Sequence, residues 1–296
     1  MSEFVSEFVS KQAVFPEEKD RQLEAVHQAN LKILKEIDRI CRKHGIRYGL
    51  DSGTLIGAAR HQGFIPWDDD ADVAFTRENY EKFARVAGEE LPRGMKLLKP
   101  HHLRGGEAFY DFTPRILYLN SRTNQDSPEM DYYEGRLNHL WVDLFILDDQ
   151  PECRWKAMWV KGLHTMIYGL AMGHRYQLDY SKYGPAGRMA VRLLAGAGKR
   201  IPMKAIRKMQ YALAVRYNNQ GSGLFYYSNY QPDYLYVTLK KEWVQETVDL
   251  PFEDTALMAP AGWHHVLTEV YGDYMKLPPK EQRVPSHSDT RIEVTG

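Results

Sequence analysis

Leu140 to Leu147 is an almost unbroken apolar run with a single charge inside it, Asp143. A run of that length and character fits a central strand covered on both faces. A lone carboxylate in its interior costs stability unless a partner or a function holds it there. The chain must therefore supply helices to cover a sheet and a reason for Asp143. With 296 residues, 43% of them apolar, it can bury a full core as one enlarged α/β domain.

The remaining pattern is consistent with that core. Apolar residues at Leu23, Val26, Ile33, Leu34, Ile37, Ile40 and Cys41 predict a helix over 17–44, stopped by Gly45. Strands are predicted over 46–50, 71–75, 109–119 and 140–147, a short helix from the turn at 53–60, and a helix over 77–91. From Arg154 to about Asn219 the pattern is helical, with breaks near Gly184 and Pro202. Late strands are predicted over 224–230 and 234–239, and a last helix over 260–271. The expected architecture is α/β (α+β): a mixed β-sheet core over 17–150 with flanking helices, and a helical, loop-rich portion over 151–296 packed on it. Residues 1–16, which contain the SEFV unit twice, read as a tail rather than a secretory signal.

The second constraint is Trp67-Asp68-Asp69-Asp70-Ala71-Asp72-Val73. If Asp70 opens a strand, Asp70 and Asp72 face the same way, because side chains alternate with period two. Two such carboxylates repel unless a cation lies between them, and hard oxygen ligands favour Mg²⁺ or Mn²⁺. Asp143 supplies a third acid. Taken alone, Asp68 to Asp72 also reads as a solvated acidic turn, and Asp143 as a paired strand residue; the conjunction lifts the functional reading. An EF-hand loop fails, with Val73 where Gly is needed and Asn79 where Glu is needed. Gly53-Thr54 follows a strand and opens a helical turn, where backbone N–H groups can approach a phosphate. GxxxxGK[ST], GxGxxG and GxSxG are all absent, against Walker-type, dinucleotide and α/β-hydrolase readings. The adjacent pairs His101-His102 and His264-His265 suit no two-ligand zinc site.

The run from Gly53-Thr54-Leu55-Ile56-Gly57-Ala58-Ala59-Arg60-His61 through Phe64-Ile65-Pro66-Trp67-Asp68-Asp69-Asp70-Ala71-Asp72 resembles the signature of the LicD family. That family lies in the nucleotidyltransferase superfamily and includes bacterial phosphocholine transferases and fukutin-related proteins. The resemblance extends to Leu250-Pro251-Phe252-Glu253, to Val270-Tyr271-Gly272-Asp273-Tyr274 and to His287, spanning about 20–290 in outline. Ile56 and Ala71 are mild departures, and the cysteine-rich zinc site of some eukaryotic members is absent.

The resemblance implies a nucleotidyltransferase-like fold and a transferase. Such an enzyme moves a phosphorylated small alcohol, phosphocholine from CDP-choline in the best-known case, onto a sugar hydroxyl of a cell-surface glycan such as lipopolysaccharide or teichoic acid, releasing CMP. Asp70 and Asp72 would hold Mg²⁺ or Mn²⁺, with Asp143 a further ligand or the base. Gly53, Thr54, Arg60, His61, Trp67, Asp68, Asp69 and His287 are the candidate donor-binding residues, Trp67 reading more readily as structural. A same-fold alternative moves a nucleoside monophosphate. A non-catalytic glycan- or nucleotide-binding module is opposed by the intact carboxylate set.

Lys plus Arg balances Asp plus Glu at 39 each, which gives no sign of a nucleic-acid partner. Between Tyr180 and Pro232, however, there is no acid and nine basic residues fall within 182–216. This segment reads either as a solvated basic face or as a contact with an anionic membrane or a lipid-linked acceptor. Cys41 and Cys153 lie far apart with no CxxC spacing, and a cytoplasmic setting, at most at the inner membrane face, is expected.

Overall fold

The computed structural model describes residues 16–123, 127–285 and 292–294; the SEFV units and His287 lie outside the described residues. Helix α1 (Pro16–Lys43) forms because Val26, Ala29, Ile33, Leu34, Ile37, Ile40 and Cys41 fall on one buried stripe. Gly45, at φ 62°, turns the chain out of the helix. There follow β1 (Gly49–Leu50), α2 (Ser52–His61), β2 (Asp72–Thr76), α3 (Arg77–Glu90), β3 (Met95–Leu98), β4 (Arg115–Tyr118), β5 (Ser121–Thr123), α4 (Pro128–Tyr132) and β6 (Leu140–Asp149). The helical stretch is α5 (Arg154–Ala171), α6 (Pro185–Gly198) and α7 (Met203–Ala214). The chain then makes β7 (Leu224–Tyr227), β8 (Leu239–Lys240), α8 (Lys241–Val244), the hairpin β9 (Thr247–Phe252) and β10 (Thr255–Pro260), α9 (Trp263–Tyr271) and β11 (Ile292–Val294).

Seven strands make one mixed sheet, as expected for an α/β core. Its path is β1-β2-β6-β4-β3, and β7 and β8 join along β6 beyond the β4 pairing. β2 and β6 pair in parallel; the other pairs are antiparallel. β6 is central and its apolar residues Val142, Leu144, Phe145, Ile146 and Leu147 are buried in a core shared with α1, α3, β2 and the β9–β10 hairpin. The apolar run that demanded two-sided cover therefore receives it.

Several segments differ from the sequence reading: of 46–50 only Gly49–Leu50 is strand, of 224–230 only Leu224–Tyr227, and β3 was not anticipated. Of 109–119 only Arg115–Tyr118 is strand; Asp111 accepts the Thr113 N–H at 2.9 Å and folds the preceding residues into a turn. Of 234–239 only its last residue reaches a strand, because Pro232 starts a 3₁₀ turn over Pro232–Tyr234. The β9–β10 hairpin was not anticipated, since Pro251 and Pro260 mask its strands; a two-stranded ladder tolerates them.

Candidate active site

Asp72, the first residue of β2, and Asp143, inside β6, are register partners, and the other register partner of Asp143 is Arg115 at the start of β4. Residues in one row of a sheet project to the same face, so two carboxylates and a guanidinium stand side by side. The Arg115 Nε lies 2.7 Å from Asp143 Oδ1. Its N–H is not directed at that oxygen, so the contact is an ion pair rather than a hydrogen bond. Arg115 also binds Asp111, donating from Nη1 at 3.2 Å and from Nη2, and lies over the rings of Trp141 and Tyr110 at 4.8 and 5.1 Å. Trp141 Nε1 donates to Asp143 Oδ2 at 3.2 Å. Asp143 is thus fixed from both sides.

Asp70 and Asp72 are not on one strand, because β2 begins at Asp72; Asp70 lies in the approach to it. The two still act on each other. Burial first, then the charges of Asp70, Asp143, Asp51 and Asp68, hold the Asp72 carboxyl well above the usual carboxylate range. Asp68 is pushed up to about 8 by burial and by Asp70 beside it. Asp143 is pushed up to about 6 by burial, with the Arg115 charge opposing. The cation next to this group, Arg115, is already shared with Asp111. A group of carboxylates fits Mg²⁺ or Mn²⁺ in its donor chemistry. Among the described residues no three His, Cys, Asp or Glu are grouped closely enough to hold a metal ion by themselves. An ion bound at these carboxylates would need further oxygens, such as those of a substrate.

The turn before the acids is built to position them. Thr54 is buried, and its Oγ1 accepts the Asp72 N–H at 2.9 Å. A Cβ at Gly53 would overlap Asp68 Oδ2, so the glycine lets the Asp68 carboxylate lie against the turn. Asp69 is buried as well. Arg60 and His61 sit at the other end of α2, about 10 Å from Gly53 by helical rise. Arg60 Nη1 donates to the Tyr274 carbonyl at 2.8 Å and Nε to His61 Nε2 at 3.0 Å. Trp67 is half-buried, edge-on to His61, with the Arg283 guanidinium 5.5 Å from its ring centroid. Arg60, His61, Trp67 and Arg283 therefore form a second, basic group.

Aromatic residues flank the acids on a further side. Tyr230 stacks on Phe145 at 4.2 Å and meets Tyr234 at 4.1 Å. Its hydroxyl is held protonated by burial and by the Asp72 charge. Tyr227 donates to Asp51 Oδ1 at 2.9 Å, while Asp51 Oδ2 is buried without a partner. Sequence reasoning missed Arg115, Trp141, Tyr230 and Arg283 as parts of the site. Arg115 did carry a signal, as the one cation in Pro114-Arg115-Ile116-Leu117-Tyr118. A cleft of about 620 Å³, lined by Arg47, Arg77 and Lys241 among others, opens at the far ends of β2 and β6; Asp70, Asp72 and Asp143 do not line it.

Comparison with known proteins identifies one matching family and several relatives. The family described as LicD/FKTN/FKRP, nucleotidyltransferase domain, matches residues 45–170, which include all three acids. The chain is 28% identical over 270 residues to the lipopolysaccharide cholinephosphotransferase LicD of Haemophilus influenzae, covering 87% of this chain and 92% of that one. It is 38% identical over 119 residues to the mouse ribitol 5-phosphate transferase FKRP, covering 39% of this chain and 20% of that one.

Proposed function

We propose that this chain, whose residues 45–170 match the LicD/FKTN/FKRP nucleotidyltransferase domain, transfers a phosphorylated small alcohol from a CDP-activated donor to a hydroxyl of a glycan or glycolipid precursor, releasing CMP. The observation that carries the reading is the register of Asp72 against Asp143, with Asp70 and Asp68 raising the negative charge beside them. Phosphocholine is the favoured cargo. The relative matched over most of both chains is named a cholinephosphotransferase, and Tyr230 and Tyr234 offer aromatic faces near Asp72 to a quaternary ammonium.

Asp70 and Asp72 would hold Mg²⁺ or Mn²⁺, and Asp143 would be a further ligand or take the proton of the incoming hydroxyl. The bound ion supplies charge neutralisation at the transferring phosphoryl group. Arg115 and Trp141 hold Asp143 in a fixed orientation, so its oxygens need no reorganisation during the reaction. Thr54 fixes the backbone at Asp72. Arg60 and Arg283 are the cations for the donor phosphates, and His61, kept neutral by burial and by Arg60, and Trp67 pack among them.

The test is CMP release from a panel of CDP-alcohols with Mg²⁺, with and without glycan extract, using Asp72→Asn as control. Metal-dependent release from one preferred donor, abolished in the variant, is the expected result. Failure with every CDP-alcohol, alongside pyrophosphate release from a nucleoside triphosphate, would overturn it in favour of nucleotidyl transfer.

A further inference from the structure

Helix α5 is apolar on two faces. Ala157, Val160, His164, Tyr168 and Ala171 form its buried stripe. Trp155, Met158, Trp159, Leu163 and Met166, at i, i+3, i+4, i+8 and i+11, form a second stripe that nothing among the described residues covers: Trp155 is 71% exposed and Trp159 72%. The stripe runs about 16 Å along the helix. The adjoining helix α6 repeats the pattern, with Met189 58% and Leu193 67% exposed. The two helices touch through small residues, since a Cβ at Gly198 would overlap the Leu170 carbonyl and one at Gly169 the Leu194 side chain. The close approach uses the glycine positions and leaves the large apolar side chains outside. An isolated exposed Leu means little, but a contiguous stripe of Trp, Met and Leu marks a contact surface.

Charge identifies the occupant. From Arg154 to Pro232 the chain has thirteen Lys and Arg and a single acid, Asp179, although the whole chain is balanced at 39 each. On the two striped helices Arg154, Lys156, Arg188 and Arg192 are exposed, among or beside the apolar residues. A second copy of the chain would bring two such basic segments together, which is repulsive. An anionic bilayer offers negative headgroups to the basic side chains and an acyl boundary to the Trp, Met and Leu side chains, and Trp favours that boundary. Among the described residues no helix is long and apolar enough to cross a membrane, so the pair lies in the interface plane.

We propose that α5 and α6 dock the protein on an anionic lipid surface through Trp155, Met158, Trp159, Leu163 and Met166, with Met189 and Leu193 of α6 contributing. The inference is independent of the catalytic reading. The test is co-sedimentation of the full chain with vesicles of phosphatidylcholine alone or mixed equally with phosphatidylglycerol. Binding is expected only to the anionic vesicles, weakened by salt, and weakened by at least about tenfold in Trp155→Ala/Trp159→Ala with the melting temperature unchanged. Quenching of wild-type tryptophan emission by brominated acyl chains supplies a readout free of variants. Wild-type protein that stays in the supernatant, or binding that the double variant retains, overturns the proposal. A dimer by light scattering that the double variant dissolves overturns it in favour of self-association.

Discussion

Asp72 and Asp143 face each other across the parallel β2–β6 pair, one strand spacing apart, and burial, with neighbouring carboxylates, holds both carboxyl groups above their ordinary range. Such a pair is held by the fold against its own electrostatics, which suggests a function. Asp72→Asn is expected to lower transfer on the order of 10²–10³-fold while leaving the melting temperature unchanged or raised, because the amide is not ionised. Rate and melting curve are measured on the same preparation. A variant that loses activity and stability together would make Asp72 a structural residue instead.

Divalent metal should stabilise the folded chain. An ion that binds the native acids and not the unfolded chain adds about 2.7 kcal/mol at a hundredfold excess over its Kd. Adding Mg²⁺ or Mn²⁺ is therefore expected to raise the melting temperature, with no rise in Asp70→Asn/Asp72→Asn. A melting temperature indifferent to both ions, with and without CDP-choline, counts against the metal assignment.

Arg115 is the residue whose loss the core should least tolerate. It is buried between Asp111 and Asp143, and removing it leaves the buried Asp111 and the partly buried Asp143 without their cation. Arg115→Ala is expected to cost about 3–5 kcal/mol in urea unfolding. A cost below about 1 kcal/mol would mean that water reaches the pair and that the ion pair contributes little.

Much of this was legible in the chain, and the reasons differ by element. α1 falls within one residue of its predicted bounds because a 28-residue stripe repeats its signal many times. β6 was legible because its apolar run is long. Asp72 and Asp143 were named from local pattern, but their register was not, since pairing is set by contacts between strands 71 residues apart. Trp141 was missed for the same reason, since it reads locally as an ordinary strand residue; Arg115 stands out as a lone cation in its strand, but its partners lie on other segments. The exposed stripe on α5 was hidden because periodicity cannot tell which of two apolar faces is covered.

The approach of α2 to the loop before the acids makes a backbone prediction. A Cβ at Gly57 would overlap the Gly63 carbonyl and crowd the Ile65 nitrogen, and neither is the end of a flexible side chain. Gly57→Ala is expected to destabilise the fold by about 1–3 kcal/mol despite the better helix propensity of Ala. An increase in stability would show that the loop yields.

Asp51 gives the pH test. Its carboxyl is buried, one oxygen accepts from Tyr227 and the other has no partner; burial pushes it up to about 6 from an ordinary 3.8. A raised carboxyl pKa means that the folded state holds its proton longer than the unfolded state does. The contribution to stability is therefore full below pH 3.8 and is lost as pH rises to about 6, amounting to about 3 kcal/mol across that window. Asparagine at this position keeps the acceptor for Tyr227 and cannot ionise. Asp51→Asn should therefore match the wild type near pH 4 and exceed its stability near pH 7, with the difference growing between those limits in urea unfolding. The other raised carboxyls, Asp68, Asp72 and Asp143, titrate in both proteins and largely cancel in the difference, apart from the smaller share of the Asp72 shift that the Asp51 charge supplies. A difference that stays constant with pH would show that Asp51 is ionised throughout, and that the unpartnered oxygen is solvated in the native state.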